Sequence, residues 1–242
     1  MFPKSCAALV ALWCVSGLVT ASELASGSTD TWSGCSAGVQ AGVASQASGT
    51  VYTGTPDIPG NYDNGSNTAT GILAGGHVGC DVQRRRWVFG LQGRLDAANL
   101  DGNNNYFEGV GLSETRTRAR WLAALTGRVG LAVTPATLVY ARIGVARVRN
   151  AYTDRCVTQC SATPGEDPSY LATADASRNG WLAGAGMAHQ LGKQWSVFAE
   201  YQYLDFGSAR TTVADQSGSL QWQNAYRHDG QTVTVGMSYR IR

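Results

Sequence analysis

The sequence has 242 residues, of which 30 are glycine and only 15% carry a charge. This composition argues against a helical bundle and favours β-structure in a chain long enough for one large domain. The 19 basic and 17 acidic residues nearly balance, so no strong basic field points to nucleic acid as a partner.

The first element in chain order is an apolar run at residues 6–19, which follows Lys4 and precedes three small residues. The run is too short for a membrane-spanning helix and has the three-part form of a secretory signal. We therefore expect a signal peptide at 1–21, cleaved after Ala21, and a short N-terminal segment at 22–31. A retained membrane anchor is the disfavoured alternative.

Eight later segments of ten or more residues alternate apolar with small or polar side chains, which is the pattern of membrane barrel strands. They lie at 32–44, 70–82, 86–98, 114–133, 137–149, 177–191, 194–206 and 228–242. Short links alternate with long polar connections at 45–69, 99–113, 150–176 and 207–227. The sequence predicts an all-β fold over 32–242, an eight-stranded antiparallel transmembrane up-and-down β-barrel with short periplasmic turns and four long extracellular loops.

The two-residue period of a strand assigns one face to lipid and the other to the lumen. On this register, polar side chains project inward beside Gln40 and Gln92, and the predicted lumen network comprises Arg94, Asp96, Arg120, Arg128, Arg142, Glu200, Gln202 and Arg240. These residues could line a narrow ion path or form a paired polar core. We favour the paired core, because an unpaired interior charge is costly and carboxylates are present to offset the arginines.

Aromatic residues collect near the predicted strand ends, as the two lipid–water interfaces of a membrane favour. We place one belt toward the short turns, with Trp32, Trp87, Trp195 and Tyr239. We place the other toward the long connections, with Trp121, Trp181, Tyr203 and Phe206. The alternative is that these rings form the core of a soluble β-sandwich, which the same periodicity would also fit.

Four stretches carry a family resemblance: WSGCSAGVQAGV, GGHVGCDVQRRRWVFGLQGRLDAANL, RVGLAVTPATLVYARIGVA and GWLAGAGMAHQLGKQWSVFAEYQYLDFG. They resemble the corresponding segments of Omp25/Omp31/RopB-like outer-membrane proteins, within the opacity-like porin superfamily, and the last two match hairpins of that family. The last hairpin is the most specific, and together the matches cover nearly the whole chain after the expected signal. Members commonly end in an aromatic residue that resembles the recognition signal for the barrel-insertion machinery, whereas here Ile241 takes that place and Arg242 follows.

The resemblance implies the Gram-negative outer membrane as the location. It implies outer-membrane lipid, lipopolysaccharide and the barrel-insertion machinery as partners, with host or environmental ligands as further partners of the loops. We expect a surface antigen that contributes to envelope integrity and surface interaction. The alternatives are a porin-like passive channel for very small solutes and, less favoured, a haem- or host-binding adhesin.

Four cysteines follow the expected signal, an even number that suits an oxidising compartment. Cys35 and Cys80 stand where the family usually has aromatic residues, on the outward face near the short-turn ends of two neighbouring strands. Facing residues on such strands lie about 4.5–5.5 Å apart, within reach of a disulfide, so we predict a Cys35–Cys80 bridge. For Cys156 and Cys160 we also favour a bridge, over a metal site that would lack further ligands.

Catalytic residues, cofactors and metals are not predicted. After the expected signal the histidines are His77, His189 and His228, and none has the following serine that would resemble the lipid A deacylase barrels. His77 and His189 would be the iron ligands of a haem-binding protein, but His189 falls on the lipid face. We therefore expect no enzymatic activity, although residues from distant strands can converge in a fold.

Overall fold

The computed structural model describes residues 31–54, 59–107, 112–158, 171–214 and 221–241. Eight antiparallel strands close into one barrel, in which each strand pairs with its neighbours in sequence and β1 pairs with β8. The strands are β1 (Gly34–Gly54), β2 (Pro59–Arg84), β3 (Trp87–Phe107), β4 (Leu112–Ala132), β5 (Thr137–Thr158), β6 (Leu171–Gln190), β7 (Trp195–Ala214) and β8 (Gln221–Ile241). This architecture confirms the predicted fold. Within these ranges no helix has the length and apolarity needed to cross a membrane.

The strands are longer than predicted, and this corrects the expected loops. The predicted connection 45–69 contains strand residues 45–54 and 59–69, and β5 continues to Thr158 instead of ending at Arg149. Outside the lipid, a strand does not need an apolar face. The alternation of apolar and polar side chains therefore ends, while the backbone hydrogen bonds between the strands continue. The barrel wall therefore extends past the part that the hydrophobic pattern reveals.

A wide part of the outer surface of the barrel is apolar. Val39, Ile72 and Ile143 are each at least 65% exposed, which a soluble protein would avoid over so wide a surface. The predicted belts are present in part: the rings of Trp195 and Tyr239 lie 4.9 Å apart near the short turns, and those of another outward pair, Trp181 and Tyr203, lie 5.8 Å apart toward the opposite end. The soluble β-sandwich alternative is therefore wrong.

Two residues assigned to these belts lie inside the barrel instead. Trp32 is 3% exposed and lies just before β1, where Thr31 and Trp32 cover the mouth of the lumen. Phe206 is buried in an apolar cluster with Leu182 and Leu204. The alternation of β7 itself places Phe206 on the inner face with Leu204, because the two residues are two positions apart.

The expected signal peptide at 1–21 and nearly all of the segment at 22–31 lie outside the described residues. The same holds for Cys160 and for the side chain of Cys156, whose backbone belongs to β5. These predictions stay predictions.

Candidate functional site

Charged side chains meet in the middle of the lumen. Arg94 and Asp96 project inward from β3, Arg142 from β5, and Glu200 from β7; all four are buried. Arg94 Nε lies 2.7 Å from Asp96 Oδ2, and Arg142 Nη2 lies 2.7 Å from Glu200 Oε2. Arg94 Nη1 lies 3.6 Å from Glu200 Oε1. Glu200 therefore joins arginines from two strands, as a paired polar core requires.

Amide and imidazole groups extend this network around the lumen wall. Gln202 accepts a 3.0 Å hydrogen bond from Arg94 Nη1, and Gln40 Nε2 donates to Asp96 Oδ1 at 2.7 Å. A ring nitrogen of His77 lies 2.5 Å from Gln40 Oε1, and the other lies 2.8 Å from Ser238 Oγ. The chain of contacts runs from β3 through β1 and β2 to β8. Each of these side chains thus makes at least one polar contact inside the barrel, while Nη2 of Arg94 is buried without a hydrogen-bond partner.

A second group of arginines lies nearer the short turns. Arg128 Nε donates to Asp81 Oδ1 at 2.7 Å, and the guanidinium carbons of Arg128 and Arg142 each lie 5.2 Å from the centroid of the Tyr140 ring. The Tyr140 hydroxyl donates to Glu200 Oε2 at 3.0 Å. Arg240 donates to the Thr31 carbonyl, below the central network. Tyr140 contacts Arg128 of this second group and Glu200 of the central network, so it joins the two sets of charged side chains.

Sequence reasoning missed Asp81, His77, Tyr140 and Ser238 as members of the network. The alternation contained the necessary signal, since Cys80 faces outward and its neighbour Asp81 must then face inward. Which of these residues contact one another could not be seen before the barrel was closed, because the partners come from different strands. His77 contacts Ser238 across β1, a separation of 161 residues in the sequence.

The prediction that Arg120 faces the lumen is wrong. Its side chain is exposed, whereas Ala119 before it and Leu122 two positions after it are buried. The pairing of β4 with β5 skips Arg120, because Ala119 pairs with Asn150 and Trp121 with Arg149. Such a β-bulge adds one residue to a strand and reverses the alternation beyond it. The other seven predicted network residues lie in the lumen.

Apolar layers lie on both sides of the charged groups. Toward the short turns, Trp32 packs with Val88, Leu138 and Tyr140. Toward the loops, a larger cluster fills the lumen; it contains Leu73, Leu100, Leu122, Val148, Leu182, Leu204 and Phe206. Two lumen cavities have volumes of about 30 Å³ and 40 Å³, room for a few water molecules at most. Neither of these two cavities is large enough to serve as an open path through the described part of the lumen.

Glycines on the inner face let the charged side chains lie close to the wall. A Cβ added to Gly75 would clash with the Leu95 carbonyl oxygen and come within 2.6 Å of the Asp96 Cα. We expect Gly75→Ala to lower the free energy of unfolding by about 1–3 kcal/mol, since overpacking displaces the backbone beside Asp96. Urea unfolding in detergent micelles measures this. Gly93→Ala is the matched control, because a Cβ added there would have nothing within 4 Å; equal losses in both variants would contradict the argument.

The predicted disulfide between Cys35 and Cys80 is present. The two residues are direct partners in the register of β1 and β2, and both are exposed on the outer face near the short turns. The structure does not bring together His77 and His189, because His77 is buried in the lumen and His189 is exposed outside. Within the described ranges no group of three or more potential ligands could hold a metal ion.

Comparison with known proteins gives one family and several relatives. Residues 11–240 match the family model described as "Outer membrane protein beta-barrel domain". The chain is 25% identical over 222 residues to the 31 kDa outer-membrane immunogenic protein of Brucella melitensis, covering 88% of this chain and 85% of the relative. It is 23% identical over 224 residues to an uncharacterized protein of Coxiella burnetii, covering 78% and 80% of the two chains.

Three solved structures align with most of this chain, each with a TM-score below 0.5. The outer membrane protein OprG of Pseudomonas aeruginosa superposes with a TM-score of 0.46 at 13% identity, covering 87% of this chain and 97% of that one. Ail, the attachment invasion locus protein of Yersinia pestis, gives a TM-score of 0.37 at 12% identity, covering 86% and 99%. The outer membrane protease OmpT of Escherichia coli gives 0.49 at 9% identity, covering 88% and 98%.

Proposed function

Because this chain belongs to the outer membrane protein beta-barrel family, in its Omp25/Omp31 branch, and lies in the Gram-negative outer membrane, we propose that it is a non-enzymatic barrel that contributes to envelope integrity and presents a surface to its surroundings. The proposal includes export by a signal peptide at 1–21, followed by a short segment at 22–31 and a barrel domain at 32–242. It also includes insertion by the barrel-insertion machinery and contact of the exterior with host or environmental ligands.

The observation that carries this proposal is the filled lumen. A conducting path needs a continuous aqueous route, whereas here Glu200 joins Arg94 and Arg142 between two apolar layers. Charges in such surroundings are stable only when they are paired, and pairing fixes their positions. The network therefore acts as a set of crosslinks inside the wall, which favours a structural role over the porin-like alternative.

A second observation supports the surface role. The strands continue beyond the outer aromatic belt, so the wall itself projects out of the membrane. In β5, nine residues follow Arg149 before the strand ends at Thr158, which corresponds to about 30 Å of extended chain. This projection carries the far ends of the described strands away from the lipid, where other molecules can reach them.

The test combines conductance with a cell assay. We expect the refolded protein, once heat-modifiable gel mobility shows that the barrel has formed, to give no steady current steps in planar bilayers. We also expect cells that lack the protein to become more sensitive to detergent. A version shortened between Thr158 and Leu171, with the barrel retained, should restore resistance while losing part of the surface interaction.

Two results would contradict this proposal. Reproducible current steps from the folded barrel would favour the passive channel, with the inward arginines lining its path. Unchanged detergent sensitivity in cells without the protein would remove the envelope role, and adhesion of cells carrying the full and the shortened versions would then measure the surface role alone.

A further inference from the structure

An arginine patch lies on the outer wall of the barrel. Arg118 and Arg120 on β4 and Arg147 and Arg149 on β5 are all exposed. The two strands are neighbours, with Trp121 opposite Arg149 and Ala123 opposite Arg147. The bulge at Arg120, which removes this side chain from the lumen, adds it to the outside. Four guanidinium groups therefore share one region of the wall.

The aromatic residues fix the height of this patch in the membrane. Trp121 lies opposite Arg149 on one side of β5, while on the other side Trp181 lies opposite Val145. Arg147 and Arg149 thus lie at or just beyond the outer belt, and Val145 and Ile143 below them are exposed to lipid. Aromatic belts mark the level of lipid headgroups. The patch is therefore at the depth of the outer-leaflet headgroups.

The carboxylate of Asp101 on β3 lies at the edge of the patch that is farther from the lipid. It accepts hydrogen bonds from Arg116 and Arg118, and the hydrogen bond from Arg116 holds the pKa of the Asp101 carboxyl below its usual range. Arg147 lies nearer the lipid. Its direct partners on the neighbouring strands are Ala123 on β4 and Asn179 on β6. Neither facing residue carries a charge, so the exposed guanidinium of Arg147 favours an anion from outside the chain.

Among the side chains that the structure describes, the exposed arginines at this end of the wall lie on β4 and β5. On the β7–β8 side, Asp205 pairs with Asp229 near the same end of the wall. A ring of arginine around the whole barrel would indicate a general attraction to an anionic surface. A basic patch on two strands, with Asp205 and Asp229 on another side of the barrel, indicates instead one headgroup bound in a fixed place.

From this geometry we infer that the β4–β5 patch binds the phosphate groups of the outer leaflet's phosphorylated glycolipid, lipid A, with Arg147 and Arg149 as the principal contacts. Arginine suits this ligand because its planar fork donates two parallel hydrogen bonds to a phosphate. The acyl chains would lie on Val145 and Ile143 below. The inference deepens the proposed envelope role and rests on it, since a bound headgroup would tie the barrel to the leaflet.

The test measures binding of diphosphorylated lipid A to the refolded full chain by native mass spectrometry from detergent micelles. We expect Arg147→Gln/Arg149→Gln to weaken binding about tenfold or more, because each cation near an anionic headgroup contributes to the affinity. The matched control is Arg84→Gln/Arg86→Gln, which removes the same charge at the exposed short turn at the other end. The control should bind as the wild type does, and dephosphorylated lipid A should bind both variants equally weakly.

Three results would overturn the lipid A site. Equal losses in the two double variants, or equal binding of lipid A with and without phosphate, would overturn the site. Displacement of lipid A by millimolar inorganic phosphate would show a site for free phosphate and would also overturn the lipid assignment. If Arg147→Gln/Arg149→Gln loses lipid A binding but still restores detergent resistance in cells, the proposed function stays intact. Lipid A binding and detergent resistance are measured separately.

Discussion

Replacing Glu200 with alanine is expected to lower the free energy of unfolding by about 3–5 kcal/mol, because removing one partner of a buried ion pair leaves the other charge uncompensated. The carboxylate lies 2.7 Å from Arg142 and 3.6 Å from Arg94, and it accepts a hydrogen bond from Tyr140. All of these partners are buried. Urea unfolding in micelles, followed by tryptophan fluorescence and by gel mobility, measures the change.

A double variant distinguishes loss of pairing from loss of packing. Glu200→Leu/Arg142→Met removes both charges and keeps apolar volume in the lumen, so it should be clearly more stable than Glu200→Ala. A double variant as unstable as the single variant would mean that side-chain volume, and not charge pairing, holds this layer together. The interpretation of the network as a structural crosslink would then be wrong.

This network shows how far the sequence could predict the site. Alternation along single strands placed Arg94, Asp96, Arg142 and Glu200 in the lumen, because a strand in a membrane must separate its two faces. Alternation carries no information on which inward residues meet. Partners such as Arg94 and Glu200 come from strands far apart in the sequence, and their contact depends on barrel closure and register.

The failures have equally specific causes. Arg120 was misplaced because one extra residue in β4 reverses the alternation, and a bulge leaves no mark in the hydrophobic pattern. Trp32 was assigned to the interface from its position at a strand end, whereas its side chain is buried at the mouth of the lumen. The strand ends were placed too early because the hydrophobic requirement ends with the lipid. The bulge error also concealed the outer arginine patch.

The assignment of the outer face leads to the second large effect. Ile143 is 66% exposed near the middle of the apolar part of β5, between the short turn and Arg147. We expect Ile143→Arg to lower the free energy of unfolding in lipid by about 2–4 kcal/mol, the cost of an arginine at the bilayer midplane of a barrel. Reversible urea unfolding in phospholipid vesicles measures this change.

The control uses the same strand and the same face at a different depth. Val139 is also exposed to lipid but lies four residues closer to the short turn, about 13 Å along the strand. Val139→Arg should cost only about 0–1 kcal/mol, because an arginine near the interface reaches the headgroups. Equal costs at the two positions would mean that the membrane is centred elsewhere on β5. Arg147 would then lose its place at the outer headgroups, so the depth profile of β5 also tests the premise of the lipid site.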